Sequence, residues 1–140
     1  MQGQYISDFP LDILCITHYN EFNNIKGVTT LEKDLLESLL SELRRGTLIL
    51  CVLSQLSEAR YGYALIQILE DKGIPMDANT LYPLLRRLEK QELLCSEWNT
   101  EEAKPRKYYK RTVFGDQIYA ELVKQWNRLS AGMNDLLGGN

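Results

Sequence analysis

Apolar residues recur at helical spacing along most of the chain and alternate in one short stretch. Leu31, Leu35, Leu36, Leu39, Leu40 and Leu43 form one stripe of a helix over about 30–44. Thr29 stands three residues before Glu32, the spacing of a capping box. Arg44, Arg45 and Gly46 suit the helix end, where cations meet the negative pole and glycine permits the stop. The run GTLILCVLSQLSE, 46–58, is almost continuously apolar and predicts a helix buried on most sides, with Thr47 as its cap. Ala64, Leu65, Ile68 and Leu69 predict a third helix that Gly73 ends. Gly62 at its start either permits close approach of a neighbour or fits a tight turn between helices.

The stretch ANTLYPLLRRLEKQELL, 78–94, predicts a fourth helix, with Asn79 as N-cap and Thr80 competing. Pro83 then sits in the first turn or just past it, where a missing N–H costs little. Leu81, Leu84, Leu85, Leu88 and Leu93 point inward, leaving Tyr82, Arg86, Glu89 and Lys90 outward or at the edge. Leu94 to Trp98 alternates apolar and polar positions as a half-buried strand does. The polar turn NTEEAK ends at Pro105, and RKYYKRT returns as a second strand. Alternation sends one of Tyr108 and Tyr109 inward and leaves the other free for a partner. Trp98 is read as a packing residue. Ile118, Leu122, Val123, Trp126, Leu129, Met133, Leu136 and Leu137 predict a long final helix from Val113. Its apolar stripe exceeds what one small core can cover, which points to a second subunit. The alternative is packing onto the Leu31–Leu43 helix of the same chain. Residues 1–28 mix aromatics with Asn, Gly and Pro without a clean period.

Composition narrows the classes. At 140 residues, 44% hydrophobic and 25% charged, the chain is an ordinary globular length that can bury a core without disulfides or metal. The longest aliphatic run, LILCVL, is far short of the roughly 20 residues a membrane span needs, and no secretory leader is legible, so a cytoplasmic protein is expected. Cys15 and His18 form one Cys-x-x-His pair, but a structural zinc site needs four ligands and His18 is the only histidine. No metal or cofactor is expected. With no nucleophile–base pair legible, neither is catalysis.

Charge is unevenly spread. Residues 78–111 hold eight cations and five acids, +3, in a chain of net charge −3, so the rest is −6. A locally basic surface on an acidic body can attract a polyanion, although solubilising charge would read the same way. The order helix, helix, helix, hairpin, long helix predicts a mainly α winged helix-turn-helix, 44–112. A C-terminal dimerisation helix at 113–140 and an N-terminal extension at 1–43 flank it. The third of these helices would present its cations to the major groove, and the wing (Lys104, Arg106, Lys107, Lys110 and Arg111) would follow the phosphates.

Four stretches resemble the PadR family of bacterial transcriptional regulators: Gly46-Thr47-Leu48, Tyr61-Gly62-Tyr63, Asn79 to Glu89 (NTLYPLLRRLE), and Arg106-Lys107-Tyr108-Tyr109 with Thr112 and Gly115. The resemblance spans about 44–137. It implies a homodimeric repressor that binds double-stranded DNA at a palindromic operator, relieved by a small hydrophobic or aromatic effector. The implied DNA-binding set is Asn79, Thr80, Tyr82, Arg86, Arg87, Lys104, Arg106, Lys107 and Lys110. Trp126, with Leu122, Val123, Leu129 and Met133, would form the dimer interface or effector platform. Departures are Tyr61 where relatives often carry His, Glu92 near a usual helix-ending Gly, Arg111 where an apolar residue precedes Thr112, and the long N-terminus. The competing reading is a winged-helix protein-interaction module that does not bind DNA.

Overall fold

The computed structural model describes residues 29–138; the first 28, with Cys15 and His18, and the last two lie outside the described residues. The chain divides into two compact units, residues 1–45 and 46–140.

In the first unit, α1 spans Thr30–Arg45. Its capping box forms as expected. The Thr29 N–H donates to Glu32 Oε2 at 2.7 Å, and the Glu32 N–H donates to Thr29 Oγ1 at 3.3 Å. No residue of α1 is buried, and Leu31, Leu35, Leu39 and Leu43 are exposed.

The second unit begins with α2, Leu48–Ser54, shorter than the apolar run that predicts it. Thr47 occupies the N-cap position but its backbone is already helical, and its side chain makes no capping bond. At the other end Gln55 and Leu56 donate to carbonyls three residues back, and the tightened turn stops the helix. Val52, Leu53 and Leu56 are fully buried.

Next comes a strand that periodicity does not predict, β1, Arg60–Tyr61. Two residues carry no alternation to read. The strand exists because β3 lies beside it, with Arg60 opposite Tyr109 and Tyr61 opposite Tyr108. The expected two-stranded hairpin is therefore a three-stranded antiparallel sheet in the order β1-β3-β2. Strand β2 covers Leu94–Asn99 and β3 covers Arg106–Arg111.

Helix α3 spans Gly62–Asp71 and ends as expected at Gly73, whose φ of 74° is the left-handed turn glycine favours. The amide of Ile74 reaches back to the Leu69 carbonyl and that of Gly73 to Glu70, satisfying the last carbonyls.

Helix α4 spans Ala78–Lys90. Its cap is Asp77, not Asn79 or Thr80: Asp77 Oδ1 accepts from the Thr80 N–H at 2.8 Å. A carboxylate caps as well as an amide and also meets the positive helix pole. Asn79 and Thr80 consequently lie inside the first turn, and Pro83 is the sixth helical residue. Leu81, Leu84, Leu85 and Leu88 are buried, with Leu93 and Leu94 beside them. At about 1.5–3 kcal/mol per leucine, this stripe is the largest single hold on the helix. The helix ends with the bond pattern seen after α3, but with Glu92 at φ 63° in glycine's place.

Helix α5, Val113–Leu136, begins at Thr112, whose hydroxyl accepts from the Gly115 N–H at 2.9 Å and donates to the Glu92 carbonyl at 2.7 Å. Gly115 is the one buried residue of α5. A Cβ there would stand 2.0 Å from the Leu93 carbonyl oxygen, so only glycine permits this approach. Ile118, Tyr119 and Leu122 pack on the core cluster; Trp126, Leu129, Met133 and Leu136 are exposed.

Candidate nucleic-acid interface

Burial of the leucine stripe determines which residues α4 presents outward. Asn79, Thr80, Tyr82, Arg86, Arg87 and Lys90 are all exposed. Tyr82 and Arg86 are four apart and share a row facing the wing, because Glu89, one turn further on, contacts it. Arg87 lies on the other side of that face. The Tyr82 ring rests against Gly62: a Cβ at Gly62 would approach it to 2.6 Å. Gly62 thus serves close packing, one of the two readings its position allows.

The wing is pinned to α4 through Glu89. Ser96 donates its hydroxyl to Glu89 Oε1, and Lys107 Nζ stands 3.2 Å from Oε2. The Ser96 hydroxyl first, and Lys107 after it, hold the Glu89 carboxyl below its ordinary 4.5. The same bond holds the Lys107 ammonium above 10.5. Nothing in the sequence distinguishes Glu89 from a solvated helix-surface acid; its role rests on two residues that approach from a different element.

The wing cations, equivalent in the sequence, separate into two groups. Lys107 pairs with Glu89. The Arg106 guanidinium lies 4.6 Å over the Tyr61 ring and pairs with Glu102 at 3.1 Å. Arg111, expected along the phosphates, faces inward with a side chain only 10% exposed. It donates to the Leu53 carbonyl, pairs with Asp116 at 2.7 Å and lies 4.2 Å over the Tyr119 ring. Alternation explains this: Arg111 shares a face with buried Tyr109 and sits opposite Leu94. Among the described residues Lys104 and Lys110 remain exposed without an ion pair, as do Arg86, Arg87 and Lys90.

Tyr109 is the inward tyrosine, at 4% exposure, while Tyr108 meets Tyr61 with ring centroids 5.5 Å apart. Tyr61 therefore supports the wing through Tyr108 and Arg106. Trp98, expected to pack, is 65% exposed. It lines a cleft of about 480 Å³ with Tyr63, Tyr82, Lys104 and Lys107. The hairpin register sets Trp98 opposite Lys107 on the face turned toward α4, where alternation alone suggests burial. Tyr63 has no comparable sequence mark.

A second groove, about 560 Å³ and mainly apolar, lies among α2, the end of α4 and α5. Ile49, Leu50, Leu93, Leu122, Trp126 and Leu129 line it. Of the expected dimer or effector residues, Leu122 and Val123 are half-buried, while Trp126, Leu129 and Met133 are exposed. Among the described residues no cluster of His, Cys, Asp and Glu has the makings of a metal site. No helix among them is long and apolar enough to cross a membrane.

Three helices with a hairpin pinned against the third define a winged helix-turn-helix protein. More narrowly, the chain belongs to the transcriptional regulator PadR-like family, whose model matches residues 49–121. It is 52% identical to a PadR family transcriptional regulator from Eggerthella lenta DSM 2243, at a TM-score of 0.73 over 80% of this chain and 100% of that one. A PadR-like transcription factor from Bacteroides fragilis is 36% identical, at 0.60 over 71% and 98%. A PadR-like transcriptional regulator from Bacillus cereus is 30% identical, at 0.63 over 71% and 100%.

Proposed function

We propose that this regulator binds duplex DNA as a homodimer, with α4 in the major groove and the wing along the neighbouring phosphates. One observation carries the reading: Arg86, Arg87 and Lys90 on α4 and Lys104 and Lys110 on the wing are exposed and have no ion pair among the described residues, on two elements that Glu89 and Lys107 hold together. Asn79, Thr80 and Tyr82 stand at the N-terminal end of α4, the part of a recognition helix that meets base edges. Either arginine can form the two-pronged contact to guanine that discriminates by about 1–3 kcal/mol; the other then serves phosphate. Lys107 and Arg106 act on DNA through the shape of the wing, since their charges are engaged within it.

The exposed stripe of α5 supports dimerisation through Trp126, Leu129 and Met133. A two-fold pair would then read a palindromic site with half-sites about 34–36 Å apart. The groove beside Trp126 suits a small hydrophobic or aromatic effector. An effector there that favours a different α5 pairing would lower DNA affinity, and the resemblance to the family supports reading this as a repressor relieved by its ligand.

The test is a titration of labelled promoter duplex across 50–200 mM salt. Phosphate contacts by about four to five free cations per protomer predict a log–log slope near −4 per protomer. Replacing Arg86 and Arg87 together by Ala is expected to weaken binding by at least tenfold without lowering the unfolding midpoint. Salt-independent binding, or a double variant that binds as the wild type does, overturns the reading in favour of a protein-interaction module.

A further inference from the structure

The wing's engaged cations leave an unusual pair at its tip. Arg106 is held by Tyr61 and Glu102, and Lys107 by Glu89. Lys104 is the lining cation without an ion pair among the described residues, and the indole of Trp98 stands in the same cleft, 65% exposed. At the edge of the cleft the Tyr82 ring lies against Gly62. The cleft is also continuous with the reading face of α4, since Tyr82 lines it and Arg86 follows one turn later.

We propose that Trp98 is a DNA-contacting residue, its indole laid on the deoxyribose faces of the strand whose phosphate Lys104 neutralises. This rests on the DNA-binding reading above. The occupant is argued from charge and surface type together. Lys104 at the cleft, which has no ion pair among the described residues, favours an anion, while Arg106 and Lys107 are already matched by Glu102 and Glu89. A large apolar ring beside a free ammonium fits a polymer that alternates sugar faces with phosphates. Tryptophan suits the role because it offers a wide, rigid surface with few rotors to immobilise. The contact is sequence-independent, as sugar contacts are.

The experiment compares Trp98→Ala, Trp98→Phe, Lys104→Ala and wild type, all as full chains, in binding to sonicated mixed-sequence duplex DNA across salt. Trp98→Ala is expected to lose about tenfold in affinity, the upper scale of an aromatic contact, at every salt concentration. Its salt slope stays that of the wild type, because no counterion release is lost. Trp98→Phe recovers part of the affinity. Lys104→Ala instead flattens the slope by about 1. Unfolding midpoints of the Trp98 variants should match wild type, as truncating an exposed ring leaves no cavity. If wild type binds DNA with a steep salt slope and Trp98→Ala binds equally well, this inference fails and the DNA reading stands. If Trp98→Ala flattens the slope or lowers the midpoint, the ring shapes the wing and the inference fails likewise. If wild type shows no salt-dependent binding, both fall.

Discussion

Helices α4 and α5 carry similar leucine-rich stripes, yet their surroundings are opposite. On α4 every stripe residue is buried by α3, β2 and the core beneath, and the outer face is cationic. On α5 Ile118, Tyr119 and Leu122 pack on the core, whereas Leu129 is 60% exposed and Leu136 83%. The stripe tells which side of a helix is apolar, and the rest of the fold decides whether the same chain supplies its cover. The helix whose stripe is satisfied has its polar face free for a ligand, whereas the helix whose stripe is unsatisfied has its apolar face free for another protein surface.

The strongest test of this contrast attacks the buried glycine where α5 meets the Leu93 backbone. Gly115→Ala drives a methyl group into the Leu93 carbonyl. We expect a loss of about 3 kcal/mol or more, measured by denaturant unfolding, because the obstacle is backbone and cannot rotate away. Unchanged stability would mean that α5 is attached mainly through its apolar residues.

A second test concerns the uncovered part. Leu129→Asp should leave the monomer folded, since Leu129 is exposed in the isolated chain. It should weaken self-association by about 2–3 kcal/mol, read by sedimentation as a shift from dimer to monomer. A variant that dimerises like wild type would assign the stripe to a different partner.

The smallest effect belongs to the pin between α4 and the wing. Glu89 titrates below 4.5 in the folded protein, so its ionised form stabilises the fold. That contribution is fully present above pH 4.5 and is lost as pH falls through the lowered folded value. Glu89→Gln keeps the size and removes the charge. Wild type should exceed it by about 0.5 kcal/mol at neutral pH, the scale of a partly exposed ion pair, and the two should converge in acid. A difference that persists at low pH would show that shape, not charge, sets the pin.

Much of the architecture was legible because it depends on local period. The buried positions of α4, the Gly73 stop, the capping box of α1 and the hairpin follow from spacing and turn chemistry. Strand β1 was not, because two residues acquire strand geometry from Tyr108 and Tyr109, nearly fifty positions away. The candidate interface was legible as a region and not as a set of charges. Whether a lysine is free depends on what another element brings to it: Glu89 reaches Lys107, and Leu53 reaches Arg111, across gaps no local pattern encodes. Trp98 escaped for the converse reason, as its strand position suggested burial where the neighbouring helix offers none.

Arg111 ties three segments with a single side chain: β3 through its own backbone, the end of α2 through Leu53, and the opening turns of α5 through Asp116 and Tyr119. Mechanically this is a welded bracket at the root of the wing. Torque applied along the distal shaft of α5 must either tear the bracket or swing the wing with it.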